Sequence, residues 1–186
     1  MNDRIMEVVR HEIKRRGLRF TMAELAKLSG MSTKTLYGIF SSKEELITAI
    51  LDDTMNELKE KEKVILEDNE LSTLTKLKKC LVLVPADFQF VDMNLITDLQ
   101  RFYPLQWKLL DQFLNQQWDS ILSLFNEGIS EGILRSFNTE LFIDLYVGGF
   151  YRLIEDPSAR KSNKGLQESL EDMVDILLSG IVQKEG

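Results

Sequence analysis

Thr21-Met22-Ala23-Glu24-Leu25-Ala26-Lys27-Leu28-Ser29-Gly30-Met31-Ser32-Thr33-Lys34-Thr35-Leu36-Tyr37-Gly38-Ile39-Phe40 is the stretch on which the fold turns. Thr21 followed by Glu24 is a capping box: the hydroxyl can accept from the Glu24 amide while the carboxylate reaches back to the cap. Met22, Leu25 and Ala26 then fall on one helical face. Ser29-Gly30-Met31-Ser32 breaks that pattern, and Gly30 gives the backbone the freedom a sharp turn needs. Ser32 caps a short helix ending near Gly38 to Phe40. Leu36 and Phe40, four apart, can bury together, which leaves Thr33, Lys34 and Tyr37 on the other side. Helix, glycine turn, helix is the plan of a helix-turn-helix, in which one helix braces the DNA backbone and the next lies in the major groove. Ser32, Thr33, Lys34 and Thr35 are small, polar or cationic and suit a surface that meets base edges. Lys34 can donate to the guanine acceptors displayed there.

Outward from this stretch the pattern stays helical. Ile5, Val8, Val9 and Ile13 form the apolar stripe of a first helix that stops near Gly17. Ser42-Lys43-Glu44-Glu45 is a second capping box, opening a long fourth helix through Leu46, Ile47, Ile50, Leu51 and Leu58. Segments at 71–84, before Pro85, and at 88–102 follow. Pro104 suits the first turn of a long helix reaching Glu131. Thr139 is read as the cap of a helix ending at Asp156-Pro157, and a last helix runs from about Gly165 to Gln183. The expected fold is all-α, with about nine helices: a three-helix head over residues 1–47 and a larger helical body over 48–186.

Charge agrees with that division. The first 50 residues carry nine Lys/Arg against six Asp/Glu; the remainder carries fourteen against twenty-four. A basic head on an acidic body is the asymmetry expected if only the head meets phosphate. Cys80 is the single cysteine, so no intrachain disulfide forms, and its run Cys80-Leu81-Val82-Leu83-Val84 reads as core. The N-terminus lacks the apolar stretch of a signal peptide, and no uncharged run is long enough to span a membrane. The expected location is the cytoplasm.

Ile5-Met6-Glu7-Val8-Val9, Gly17, Thr21-Met22-Ala23-Glu24-Leu25-Ala26, Gly30-Met31-Ser32, Thr35-Leu36-Tyr37, Phe40 and Ser42-Lys43-Glu44-Glu45-Leu46 closely resemble the TetR family of bacterial regulators. The motif match covers roughly the first quarter of the chain, and so many spaced positions make it specific. The resemblance implies that Thr21, Tyr37 and Lys43 touch phosphates, and that Thr33, Lys34 and Thr35 face base edges or nearby phosphates. It also implies a ligand-responsive regulator, in the family's usual mode a repressor, binding palindromic double-stranded operator DNA as a homodimer. Lys34, Gly38 and Ile39 depart from residues common in the family, which bears on the operator sequence and not on the fold.

In the body, the segment from Thr139 to Ile154 is apolar nearly all round and must be covered on more than one side. Either a monomer core or a second subunit can supply the cover. Reading two half-sites favours the subunit, and the resemblance implies a four-helix interface from the last two helices. Phe142, Leu145, Tyr146, Gly149, Leu170, Val174, Leu177 and Ile181 are its expected residues. The middle is rich in aromatic residues, and the resemblance suggests a pocket there for an apolar or aromatic effector, with Phe88, Met93, Phe102, Tyr103, Trp107, Phe113 and Trp118 as candidates. Ordinary core packing is the competing account of each.

A helical-bundle enzyme is the rival class. Its di-metal sites use Glu-x-x-His pairs; the only histidine, His11, reads as a surface residue, and no metal site, cofactor motif, phosphate loop or nucleophile motif is present. An architectural DNA-binding dimer that senses nothing stays open, because an effector pocket leaves no spaced motif.

Overall fold

The structure is a computed structural model that describes residues 2–85, 94–155 and 165–183. Ten helices run through them: α1 (Asn2–Arg16), α2 (Met22–Leu28), α3 (Thr33–Ile39), α4 (Lys43–Glu67), α5 (Thr73–Leu81), α6 (Asn94–Phe102), α7 (Pro104–Gln116), α8 (Asp119–Ser130), α9 (Thr139–Glu155) and α10 (Leu166–Ser179). The all-α class is as expected, and no strand occurs among the described residues. A single antiparallel bridge pairs Leu134 with Val182.

The ends of the helices follow local chemistry. α1 stops where Gly17 takes φ +64°, and the turn after α2 uses Gly30 at φ +70°; both angles lie in the left-handed region that favours glycine. Ser32 caps α3 and Ser72 caps α5, each accepting from the amide three residues on. Pro104 opens α7, where its missing N–H costs nothing.

Several boundaries differ from expectation: α5 ends at Leu81 and α10 at Ser179, short of the expected 84 and Gln183. The helix expected from Pro104 to Glu131 is two. It breaks before Trp118, whose indole N–H donates to the Leu114 carbonyl at 3.1 Å and whose ring packs edge-on against Tyr146. Asn138, not Thr139, caps α9: its side-chain oxygen accepts from the Leu141 amide at 3.0 Å, and Thr139 is the first helical residue. At α4, the Ser42 hydroxyl accepts from the Glu45 amide as a cap should, but the Glu45 carboxylate takes the amide and hydroxyl of Ser41.

The chain packs as two compact units. The first gathers α1, α2, α3, the first half of α4, α6 and most of α7. Its core centres on Ile5, Val9, Phe20, Leu25, Leu36 and Leu46, all buried. The second gathers the rest of α4 and α7 with α5, α8, α9 and α10 around Leu77, Phe125, Phe142, Leu170, Val174 and Leu178. These units are groupings of contacts, whereas the expected division at residue 47 is one of function.

Candidate nucleic-acid interface

The start of α2 is fixed to the end of α1 by side-chain bonds. The Thr21 hydroxyl accepts from the Glu24 amide at 3.2 Å, and Glu24 Oε2 accepts from the Thr21 amide at 2.7 Å and from its hydroxyl at 2.8 Å. The other carboxylate oxygen, Oε1, takes Arg16 Nη1 at 3.0 Å. Arg16 in turn reaches Glu12, buried on α1, with Nε at 2.7 Å. These bonds link α1 to the start of α2. The Arg16 guanidinium, then the Thr21 donors, hold the Glu24 carboxyl down to about 2. Arg15, then Arg16, hold Glu12 below the usual carboxylate range against its burial.

α3 presents what this support aims. Ser32, Thr33, Lys34 and Thr35 are all exposed, and Tyr37 is 48% exposed. Behind them Leu36 and Phe40 are buried in the core of the first unit. The Ser32 oxygen accepts from the Thr35 amide at 3.0 Å, and the two hydroxyls lie 2.8 Å apart. A Cβ built on Gly38 would meet nothing, so the backbone there is open to approach. Five of the seven expected DNA-facing residues are therefore exposed on α3 or at its cap. Thr21 is exposed too, but its hydroxyl and amide serve the capping box.

Lys43 departs from its expected role. Its ammonium turns inward, donating to the carbonyls of Leu18 and Phe20, and lies 4.4 Å above the Phe20 ring. Burial pushes its pKa down. In the free chain Lys43 fastens the start of α4 to the loop between α1 and α2, because two carbonyls there lack helical partners.

Sequence reasoning missed the residues by which α6 and α7 join this unit. Gln106 is buried, and its amide donates to the Glu44 carbonyl at 3.3 Å and to the Thr48 hydroxyl at 3.1 Å. Asp98 sits 3.7 Å from Arg19. No spacing rule announces such long-range pairs, since helical neighbours lie only three or four residues apart.

The expected effector residues that the structure describes divide between the two units. Phe88 and Met93 lie outside the described residues. Phe102 is 58% exposed. Tyr103 and Trp107 pack on the core of the first unit, and Trp118 on that of the second. Phe113 lies in the second unit, half-buried, with the Lys59 ammonium 5.9 Å from its ring centre. The first unit holds a cavity of about 40 Å³, and none of the described candidates lines it. Its walls are aliphatic, because the leucines and isoleucines of α1, α4 and α6 face one another there.

The expected interface residues divide likewise. Phe142, Leu170, Val174 and Ile181 are buried in the core of the second unit. Tyr146 donates its hydroxyl to the Leu81 carbonyl at 2.6 Å. Gly149 is backed by Met173 of the same chain, leaving no room for a Cβ. Leu177 is half-buried, and only Leu145 is exposed. The apolar stripes of α9 and α10 cover each other, and periodicity does not distinguish a partner in the same chain from one in another. The large apolar side chains left exposed on these helices are Leu141, Leu145 and Ile176.

Among the described residues no group of three or more His, Cys, Asp or Glu could hold a metal ion, and no helix is long and apolar enough to cross a membrane. Cys80 is half-buried, and burial pushes its thiol up to about 12, far from a reactive thiolate.

A polar helix face, carried on a glycine turn and braced from behind by a capped helix, defines a helix-turn-helix transcriptional regulator. The profile described as bacterial regulatory proteins, tetR family, matches residues 5–50. The HTH-type transcriptional regulator YvaF of Bacillus subtilis (strain 168), itself uncharacterized, is 32% identical over 185 residues, covering 100% of this chain and 97% of that one. The chain belongs to the TetR family, whose members are transcriptional regulators and not enzymes. Solved structures share the fold at lower identity. A transcriptional regulator from Saccharomonospora viridis in complex with choline has a TM-score of 0.74 at 18% identity, covering 98% of this chain and 97% of that one. The ketosteroid transcriptional regulator KstR2 of Mycobacterium tuberculosis has a TM-score of 0.60 at 22% identity, covering 97% and 94%.

Proposed function

We propose that this chain is a cytoplasmic repressor that binds a palindromic operator as a homodimer and is released by a small apolar or aromatic effector. The observation that carries the DNA assignment is the outer face of α3, where exposed Ser32, Thr33, Lys34, Thr35 and Tyr37 stand over buried Leu36 and Phe40. In this reading Thr33, Lys34 and Thr35 meet base edges, and Tyr37, with Thr21, meets phosphates. Residues 1–47 form the DNA-binding part and 48–186 the sensing and pairing part. Leu141, Leu145 and Ile176 supply the exposed apolar surface for a second copy.

The choline complex of one structural relative and the ketosteroid regulator among the others support the idea of a small-molecule effector. The bonds from Gln106 to Glu44 and Thr48 support a route for its signal, since a shift of α7 would be felt in the first turns of α4. The effector acts by population shift, limited by how differently it binds the two arrangements.

Selection of bound duplexes from a random library, followed by fluorescence anisotropy on the winner, tests this. The expected result is an inverted repeat with half-sites about one helical turn apart, bound with steep salt dependence. Binding without sequence preference would overturn the operator assignment. Affinity unchanged by every apolar or aromatic ligand tried would favour the architectural dimer.

A further inference from the structure

Arg16 and Arg19 stand three residues apart, and their charges are spent differently. Arg16 Nε lies 2.7 Å from Glu12, and its Nη1 lies 3.0 Å from Glu24. Arg19 is 70% exposed, and its Nε stands 3.7 Å from Asp98 Oδ2. That separation is beyond hydrogen-bond reach, so the second pair is two charges facing each other without a bond.

Asp98 is the fixed member of that pair. Its side chain, on α6, is only 12% exposed. Its Oδ2 lies 3.8 Å from where a Cβ on Gly17 would stand, so it is packed against the loop between α1 and α2. Along that loop Leu18 and Phe20 are buried, while Arg19 and Thr21 are exposed. Thr21 has extended backbone, and alternate residues of an extended segment face one side, about 7 Å apart. Arg19 therefore shares the outward side of Thr21.

We infer that Arg19 is a further phosphate-binding residue of the DNA surface, and that Asp98 competes with the phosphate for it. The inference rests on the DNA-binding function proposed above, in which Thr21 meets phosphate. The guanidinium is free to turn, because a long and solvated ion pair holds it weakly. A phosphate offers it short, charge-assisted and bidentate bonds instead. Carboxylate and phosphate contend for one cation, so α6 acts on DNA affinity through Arg19.

The test is fluorescence anisotropy of the full chain on the selected operator and on a random duplex, between about 50 and 200 mM salt. Arg19→Gln should weaken both duplexes alike, severalfold. It should also lower the slope of log affinity against log salt by about 0.9, as for one lost phosphate contact. Arg19→Lys keeps the charge and should keep the slope. Asp98→Asn should strengthen binding severalfold by removing the competitor, whereas a purely structural role for the pair predicts weaker binding. The gain should vanish when Asp98→Asn is combined with Arg19→Gln. Should Asp98→Asn fail to fold, Asp98→Ser takes its place. A wild-type slope in Arg19→Gln would overturn the phosphate contact. Weaker binding by Asp98→Asn, or a gain that persists without Arg19, would overturn the competition. Wild type that binds neither duplex would bring down the DNA-binding function itself, an outcome distinct from wild-type binding that Arg19→Gln leaves unchanged.

Discussion

The ammonium of Lys43 lies 2.7 Å from the main-chain carbonyl of Phe20 and 4.4 Å above the centre of the same residue's ring. A lysine at the first residue of a helix following a helix-turn-helix invites assignment to DNA phosphate. Here its charge is spent on the protein, fixing where α4 leaves the head. Lys43→Met keeps the aliphatic stem and removes the donors. It should lower stability by about 1–3 kcal/mol, the cost of a charge-assisted bond to a carbonyl left without its partner. The urea midpoint reads this. The slope of log affinity against log salt should stay near wild type, whereas a lost phosphate contact lowers it by about 0.9. An unchanged midpoint with a reduced slope would return Lys43 to the DNA surface.

Lys34 is the opposite case. It is exposed on α3, beside Thr33 and Thr35, and the fold does not depend on it. Lys34→Ala should leave the unfolding free energy read from urea denaturation within about 0.5 kcal/mol of wild type. On the selected operator it should cost ~1–3 kcal/mol and relax preference at one base position. Anisotropy against a panel of single-base variants shows whether discrimination is lost at one position or nowhere.

The contrast between these lysines marks what the sequence could tell. Caps, the glycine turn and the 3.6-residue period lie within a few residues of one another, so α1 was legible from Ile5 to Gly17, and α2, α3 and the exposed residues of α3 from Thr21 to Phe40. Lys43 looked like a surface residue because its acceptors are main-chain carbonyls 25 and 23 residues away. Gly149 was expected at an interface between subunits, but the side chain packed against it is Met173 of the same chain. The aromatic residues of the middle share a composition, yet Tyr103 and Trp118 pack on the cores of different units. Local order was readable; the choice among apolar partners was not, since one leucine stripe fits another wherever it comes from.

Glu24 makes the head sensitive to acid. Its carboxyl is held down to about 2 from an ordinary value of 4.5, first by Arg16 and then by Thr21. A depressed carboxyl contributes stability that is present above the ordinary value and lost as pH falls through the folded one. Glu24→Gln should therefore destabilise the protein near neutrality. The gap from wild type should close as pH drops from 4.5 toward 2. Urea midpoints of both proteins across that range check the sign; a gap that holds constant would mean that Glu24 acts by shape alone.

Tyr146 donates its hydroxyl to the Leu81 carbonyl, beyond the end of whose helix no further amide of α5 is available. Burial pushes the phenol's pKa up, so it stays a donor throughout the ordinary pH range. Tyr146→Phe keeps the ring against Trp118 and Phe150 and orphans one carbonyl. The expected loss is about 1–2 kcal/mol in urea denaturation. Its self-association should not change, because the hydroxyl is committed within the chain.

Leu145 should show the reverse pattern. It is 56% exposed on α9, with Leu141 one turn before it also exposed, while its neighbours Phe142 and Tyr146 pack inward. Leu145→Glu puts a charge on the proposed pairing surface without entering the core, so stability of the isolated chain should move by no more than about 0.5 kcal/mol. Sedimentation should then report one chain where wild type reports two. Operator affinity should fall as well, since a linked second head raises the effective concentration at its half-site and a lone head forfeits that gain. If Leu145→Glu sediments as a dimer and binds operator like wild type, pairing runs through another surface, and the exposed leucines of α9 need a different explanation.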